Sequence, residues 1–303
     1  MKALAIVAIV GLAAMAHAQE APSDTVAYHV KQGDTLDLIA AEFYGDHART
    51  AVFVAEENKL PRPYRVFPGE RLRIPINREI ATAKGDSFAS LATQYLGDAN
   101  RAPFLAQFNH MAPTDDLPTG TTLAIPFHVV HVAPSAESLA QVAAMFFGDS
   151  KQAEAIKAYN GLDKTSLDKG ESILVPVLHL RARPEHTPTI DAEAAQRRDL
   201  QKRVTADAQA ALPVARTAWR EGDFAQVKDA LGPIAKQLDY LNAASATEIG
   251  LLLGKAYVAY EDKPAALALF QQVLARAPQH TLSAYAESPK VLEAWHQAGG
   301  RIQ

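Results

Sequence analysis

The sequence predicts an α+β protein in which three tandem βααβ modules precede an all-α domain. Two observations predict this. A pattern recurs three times in the first half of the chain, where Asn58, Asn109 and Asn160 stand 51 residues apart, and a fixed period exposes repeated structural units. After Val177 the composition changes to alanine, glutamine, leucine and charge, and strand-like alternation ends. The predicted segments are an export signal at 1–18, modules at 28–76, 78–127 and 128–177, a linker at 178–190 and a helical domain at 191–303.

The first residues predict the export signal. Met1–Lys2 give a positive start, Ala3–Ala14 is an apolar run, and Ala16–Ala18 places small residues where a signal peptidase cuts. The run is too short to cross a bilayer, which takes about 20 residues. We therefore expect cleavage before Gln19 and export to the periplasm or cell wall, with no membrane span afterwards. An uncleaved amino-terminal anchor is the alternative.

Composition narrows the function classes. The 303 residues include no cysteine, so the chain has neither disulfides nor thiol chemistry, and the hydrophobic content of 48% can supply packed cores. The formal net charge is −4, and this near-neutral balance argues against nucleic acid, which usually requires a basic face.

Each module is predicted as strand, helix, helix, strand. In the first, Tyr28 and Val30 alternate with polar residues, as in a half-buried strand, and Gly33 permits a tight turn before Asp34, the expected helix N-cap. An apolar helical stripe follows, and it recurs in each module as Leu36, Ile39, Ala40 and Phe43, as Phe88, Leu91, Ala92 and Tyr95, and as Leu139, Val142, Ala143 and Phe146. Glycines end these helices, at the positions where a left-handed C-cap is expected. The three asparagines are expected to end the second helix and organise the next loop.

This pattern resembles the LysM (lysin motif) family. The motif GDTL opens the first helix and YGD follows it; an asparagine, a PG pair and a final IP complete the copy. The resemblance spans Tyr28 to Val177, three times over. It implies a two-stranded antiparallel sheet with two helices on one side, and binding of polymers that contain N-acetylglucosamine.

The resemblance also implies where the sugar binds. In LysM-like modules it lies in a shallow groove between the loop before the first helix and the loop before the last strand, where backbone groups bind the N-acetyl amide and an apolar contact receives its methyl group. By position, the first groove uses Gly33, Asp34, Thr35 and Leu36 opposite Lys59, Leu60 and Pro61, and the second uses Gly85, Asp86, Ser87 and Phe88 opposite His110, Met111 and Ala112. Structural roles are the alternative: helix caps for Asp34, Thr35 and Asp86, and core packing for Leu36 and Phe88.

The third module departs from the family pattern. Ala136, Glu137 and Ser138 stand where the first module has glycine, aspartate and threonine. Loss of the glycine restricts the turn, so we expect this module to bind weakly or not at all.

The segment after the linker resembles the tetratricopeptide repeat. Leu253-Gly254, Tyr257, Ala266, Phe270 and Pro278 fall at that family's positions. A weaker copy runs over residues 214–234, with Ala215, Gly222-Asp223-Phe224 and Leu231 as its matching residues. Small residues would let two helices approach while aromatic rings fill the gaps. This domain is predicted to be either a protein-interaction surface or a helical spacer.

No catalytic constellation, cofactor motif or metal-ligand set is found. His128 and His131 lie three apart on a predicted strand, a poor spacing for a shared metal. The sequence therefore predicts a non-catalytic protein that binds peptidoglycan glycan strands, with an envelope protein as a possible partner of the helical domain. The alternatives are an envelope assembly scaffold for motility or secretion and, less favoured, a cell-wall hydrolase.

Overall fold

The computed structural model describes residues 24–45 and 50–303. The predicted export signal at 1–18 lies outside the described residues. Within the described part, every helix is too short or too polar to span a membrane.

Three units, each with the core order strand, helix, helix, strand, occupy the first half, and the third has two further short strands. Unit one comprises β1 (Thr25–His29), α1 (Leu36–Tyr44), α2 (Ala51–Glu57) and β2 (Arg71–Pro75). Unit two comprises β3 (Arg78–Ala81), α3 (Phe88–Leu96), α4 (Ala102–Phe108) and β4 (Thr122–Ile125). Unit three comprises β5 (His128–Val132), β6 (Glu137–Ser138), α5 (Leu139–Phe147), α6 (Ala153–Tyr159), β7 (Ser166–Leu167) and β8 (Ser172–Pro176).

In each unit the first and last strands pair antiparallel. In unit one the register runs from Thr25 opposite Pro75 to His29 opposite Arg71, and β3–β4 and β5–β8 pair in the same sense. Leu72 is buried in β2 while its neighbour Arg71 is exposed, as the predicted alternation requires.

An asparagine ties the second helix of each unit to its last strand. The Asn58 side-chain amide donates to the carbonyl oxygens of Val54 and Arg73 at 2.8 and 2.7 Å, and its oxygen accepts from the Arg73 N–H at 2.8 Å. Asn109 and Asn160 make the same three bonds in their own units. The predicted role of these asparagines is therefore confirmed.

Units one and three share one hydrophobic core, which also includes Phe108 and Ala124 of unit two, and other core residues of unit two form a cluster of their own. Phe53 of α2 lies at the junction, with its ring centroid 5.8 Å from that of Phe127 and 5.1 Å from that of Phe146. The repeat predicts three similar units, but it does not predict that the first and third merge.

Residues 178–190, predicted as a linker, pack along the units. The Ala182 N–H donates to the Asn77 side-chain oxygen at 2.8 Å, and the Arg183 N–H donates to the Phe43 carbonyl oxygen at 2.8 Å. The His186 ring stacks on Phe43 at a centroid distance of 4.1 Å. The segment thus contributes to the fold of the first half.

The remaining residues are mainly helical. They form α7 (Ala192–Glu221), α8 (Phe224–Leu231), α9 (Ala243–Ala259), α10 (Lys263–Arg276), β9 (Thr281–Leu282), α11 (Pro289–Gln297) and β10 (Arg301–Ile302). The prediction of an all-α domain is wrong in one detail, because β9 and β10 form a two-residue parallel pair. In the α9–α10 hairpin, Gly254 lies against the Phe270 ring so closely that a Cβ would overlap it, as the small-residue pattern predicts.

The helical region is docked on unit two. The Thr119 N–H donates to the Asp239 carbonyl oxygen at 2.9 Å, and Lys84 pairs with the Asp239 carboxylate at 2.7 Å. A Cβ on Gly120 would overlap the Arg197 carbonyl oxygen of α7. Glycine is required at this contact.

Candidate glycan-binding loops

A glycine turn precedes the first helix of units one and two. Gly33 has a φ of +89° and Gly85 a φ of +88°, and a Cβ at either position would meet nothing within 4 Å. Both positions are exposed. The backbone conformation, rather than lack of space, therefore requires glycine here.

The aspartates after these glycines close the turns. Asp34 Oδ2 accepts from the Lys31 N–H at 2.7 Å, and Asp86 Oδ2 accepts from the Ala83 N–H at 2.7 Å. The prediction that Asp34 and Asp86 cap the helix is wrong. Each carboxylate reaches back to the end of the strand, where it meets an N–H group of the turn.

The following residues are the helix caps. Thr35 Oγ1 accepts from the Leu38 N–H at 3.3 Å, and Ser87 Oγ accepts from the Ser90 N–H at 3.1 Å. Both residues have extended backbone conformations, which direct the hydroxyl at the free N–H groups of the first turn. The cap prediction for Thr35 is confirmed.

Hydrogen bonds keep the Asp34 carboxylate of the first turn ionised. The Lys31 N–H and then the Tyr28 hydroxyl, which donates to Asp34 at 2.9 Å, hold the pKa of Asp34 below its usual value. Burial, followed by the bond to Asp34, raises the pKa of Tyr28 to about 12. At neutral pH Asp34 is therefore ionised and already occupied by the protein, so it positions the turn.

Leu36 and Phe88 belong to the core. Their side chains are 5% and 2% exposed, and Leu139 of unit three is 1% exposed. The structural alternative is confirmed for these residues, and the contacts left for a sugar in this loop are backbone groups and the exposed Thr35 and Ser87.

The second loop begins with a left-handed residue in both units. Lys59 has a φ of 53° and His110 a φ of 58°, a conformation that costs a non-glycine residue about 1–2 kcal/mol. The next N–H ends the helix, with Leu60 donating to Ala55 and Met111 donating to Ala106 at 2.9 Å each. Sequence reasoning missed this helix-ending role; the signal was Gly161, which stands at the same position of unit three.

The second loops face unit three. Lys59, Leu60 and Pro61 line a cavity of about 890 Å³ whose other wall is β5, and none of residues 33–36 lines it. His110 lines a cavity of about 270 Å³ with residues of unit three and of the 178–190 segment, and Met111 and Ala112 do not. Neither cavity is therefore lined by both loops of a predicted groove: each is lined by the second loop and not by the loop before the first helix.

In unit three the corresponding loops are bonded to each other. Glu137 lies opposite Leu167 and Ser138 opposite Ser166 in the β6–β7 pair, and the Leu139 N–H donates to the Thr165 carbonyl oxygen at 2.9 Å. Backbone groups that would otherwise face a ligand are used in this ladder. Weak binding by unit three stays a prediction, and the ladder supplies a physical reason for it.

Two buried histidines lie in β5, which packs against α2 of unit one. His131 is 1% exposed and lies between Glu56 of unit one at 3.2 Å and Glu137 at 2.7 Å. His128 is 5% exposed and lies 3.0 Å from the Tyr159 hydroxyl. Sequence reasoning assigned them no partners, because only the meeting of units one and three brings Glu56 to this strand. Among the described residues, no group of three histidine or carboxylate side chains is arranged to hold a metal ion.

The two histidines have opposite pKa shifts. Burial, followed by the positive charge of Arg101, lowers the pKa of His128 to about 4. Burial alone would also lower the pKa of His131, but the hydrogen bonds with Glu56 and Glu137 outweigh it and raise that pKa.

Comparison with known proteins identifies the first two units. Residues 28–75 and 83–126 match the model of the LysM domain. Two curated proteins of Mycobacterium tuberculosis, each named an esterase, from strains CDC 1551 and H37Rv, are 29% identical to this chain over 147 residues. That match covers 48% of this chain and 32% of each esterase, so the chain spans about a third of the length of these relatives. No solved structure matches the chain significantly.

Proposed function

We propose that this chain, which carries two LysM domains in units one and two, is a non-catalytic peptidoglycan-binding protein of the bacterial envelope. LysM domains bind carbohydrate of the peptidoglycan or chitin type. They are typically extracellular or associated with the cell wall, which is compatible with export. In this proposal unit three is a divergent LysM unit, and the tetratricopeptide-like helical region is an adaptor or a spacer.

The observation that carries the proposal is the match of residues 28–75 and 83–126 to the LysM domain. Both segments also keep an exposed glycine turn with the same aspartate bond, 2.7 Å in each. Two weak sites on one chain gain by avidity. Once one is bound, the other searches at an effective concentration of order millimolar, which can add about 10²–10⁴ to the apparent affinity.

Sedimentation with insoluble peptidoglycan tests the proposal. We expect the protein in the pellet, and we expect Gly33→Val with Gly85→Val to move most of it to the supernatant, because valine cannot adopt these turns without strain. Gly222→Val is the matched control, since Gly222 ends α7 with a φ of +76° and open space around it. Wild-type protein that stays wholly in the supernatant would refute the proposal.

Absence of catalysis is part of the same proposal. The word esterase describes the two mycobacterial relatives, of which the match covers 32%. We expect no clearing in a peptidoglycan zymogram and no hydrolysis of short-chain aryl esters. Either activity in the purified chain would overturn this part of the proposal.

An envelope assembly scaffold is the second candidate. Tyr285 is fully exposed and Tyr260 is 51% exposed on the helical region, and exposed aromatic side chains are enriched at protein interfaces. Envelope extracts passed over the immobilised full chain and over a Tyr260→Ser, Tyr285→Ser variant would separate the two roles. A partner lost only with the variant favours the scaffold, and equal recovery favours a spacer.

A further inference from the structure

A cavity lies between units one and three. Lys59, Leu60 and Pro61 of unit one form one side, and Val130 and Val132 of β5 form part of the other. The volume is about 890 Å³, within the range of small-molecule sites. Because the two units share one hydrophobic core, the walls of this cavity are fixed relative to each other.

Hydrogen bonds order the polar groups of the cavity. Glu56 accepts from the Tyr64 hydroxyl at 3.0 Å and lies 3.2 Å from His131, whose other ring nitrogen lies 2.7 Å from Glu137. Glu57 pairs with Arg73 at 2.9 Å. Both carboxylates that line the cavity therefore have partners in the protein.

Two exposed cations remain at the opening. Within residues 24–45 and 50–303, neither Lys59 nor Arg62 forms an ion pair with a carboxylate. Arg62 instead lies over the Tyr64 ring, with its guanidinium carbon 5.7 Å from the ring centroid. The rim therefore has cationic charge that an anionic group could meet.

An apolar surface lies beside these cations. Val132, at the end of β5, is 51% exposed. Leu60, which is half-buried, lies across the cavity from β5. The apolar wall and the cationic rim of this cavity together suit a ligand that carries methyl groups and a carboxylate.

We propose that the cavity between units one and three is a second glycan subsite, which takes the carboxylate-bearing part of peptidoglycan. The inference rests on the proposed function, and it adds that this chain discriminates peptidoglycan from neutral chitin-type polymers. The carboxylate comes either from the lactyl ether of the sugar or from the stem peptide. Lys59 and Arg62 attract it, and Leu60 and Val132 pack against the adjoining methyl groups.

Substitution at Val132 tests the charge requirement. Val132→Asp and Val132→Asn differ in charge and hardly in shape, and the exposure of Val132 lets both variants fold. Titration calorimetry of the full chain would use three ligands: a neutral chitin oligomer, glycan strands stripped of peptide, and a peptide-bearing muropeptide. We expect the aspartate variant to bind a carboxylated ligand about tenfold more weakly than the asparagine variant, because like charges repel in the cavity, and we expect equal binding of the chitin oligomer.

Lys59→Gln provides an independent test, with Lys169→Gln, an exposed site outside the cavity, as its control. We expect only the first to weaken binding of carboxylated ligands, by about three- to tenfold.

The ligands distinguish the two sources of the carboxylate. Weaker binding of the stripped strands alone identifies the sugar carboxylate, and weaker binding of the muropeptide alone identifies the stem peptide. Equal affinities of the two Val132 variants for every ligand, or equal losses for chitin, would overturn the inference. Because the wild type could still sediment with the wall, that outcome leaves the proposed function intact.

Discussion

Units two and three have the same scaffold and different loops. Each has paired outer strands, an apolar helical stripe and an asparagine that makes three bonds across the unit. Unit two keeps a glycine turn closed by Asp86 at 2.7 Å. In unit three the corresponding Glu137 belongs to the β6–β7 ladder and bonds His131 at 2.7 Å. The scaffold therefore does not depend on the loop, and the loop is free to change its role.

Removal of the shared asparagine should have the largest effect. Asn160→Ala deletes three hydrogen bonds, each worth about 0.5–1.5 kcal/mol, and should lower the free energy of unfolding by about 3 kcal/mol. Urea unfolding measures the change. Asn100→Ala, at an exposed position, is the control; an equal loss in both variants would show that the three bonds add nothing.

Alanine substitutions of the equivalent glycines before the last strand of each unit should destabilise the protein by unequal amounts. Gly69, Gly120 and Gly170 have φ values of 90°, 88° and 83°, but of these three only Gly120 lies against α7. Alanine at Gly120 should cost about 2 kcal/mol more than alanine at Gly69 or Gly170, because overpacking adds to the shared strain. Thermal unfolding of the three variants measures the difference. Equal losses would contradict the docking of α7 on unit two.

The two histidines of β5 should give opposite pH dependences of stability. The pKa of His131 is raised on folding, so its contribution is complete below about 6.5, the unfolded pKa, and is lost as pH rises through the folded value. The pKa of His128 is lowered to about 4, so its contribution is complete above about 6.5 and is lost as pH falls towards 4.

Unfolding of His131→Asn and His128→Asn across this pH range separates the two effects. Relative to wild type, the first variant should lose stability most at acidic pH and the second most at neutral pH. If the difference in the free energy of unfolding between each variant and the wild type did not change with pH, the directions of both histidine pKa shifts would be contradicted.

Restoring glycine to unit three should have the smallest effect. Ala136 does not have a positive φ, so Ala136→Gly only increases the freedom of the unfolded chain and should cost about 0.4–1 kcal/mol. Gly33→Ala should also destabilise, for the opposite reason, because its φ is +89°. Chemical denaturation measures the change in the free energy of unfolding of each variant. A stabilised Ala136→Gly protein would show that the loop of unit three is a strained copy of the other two.

Local patterns predicted much of the fold. The helical stripes, the role of Asn58 and the burial of Leu36 all follow from spacing within one unit, and spacing reports which residues share a face. The match of two units to the LysM domain agrees with the repeated motifs. The sequence predicts the helix cap at Asp34, one residue before the observed cap, Thr35. The difference arises because the turn uses the Asp34 carboxylate to accept the Lys31 N–H.

Contacts between distant segments could not be predicted. The shared core at Phe53, the stacking of His186 on Phe43 and the pairing of Glu56 with His131 join residues of different units or segments. No periodicity within a unit reports such contacts. The same limit applies to the candidate site, since the turn of the second loop towards β5 depends on how units one and three meet.

Amide chemical-shift mapping of the full chain, titrated with soluble peptidoglycan fragments, shows directly whether the glycine turns of units one and two bind glycan. We expect shifts of the amide signals of residues 33–36 and 85–88, and unchanged signals for residues 137–139, because the β6–β7 ladder occupies their loop. Shifts at residues 137–139 of the same size, or none at the two glycine turns, would contradict this expectation.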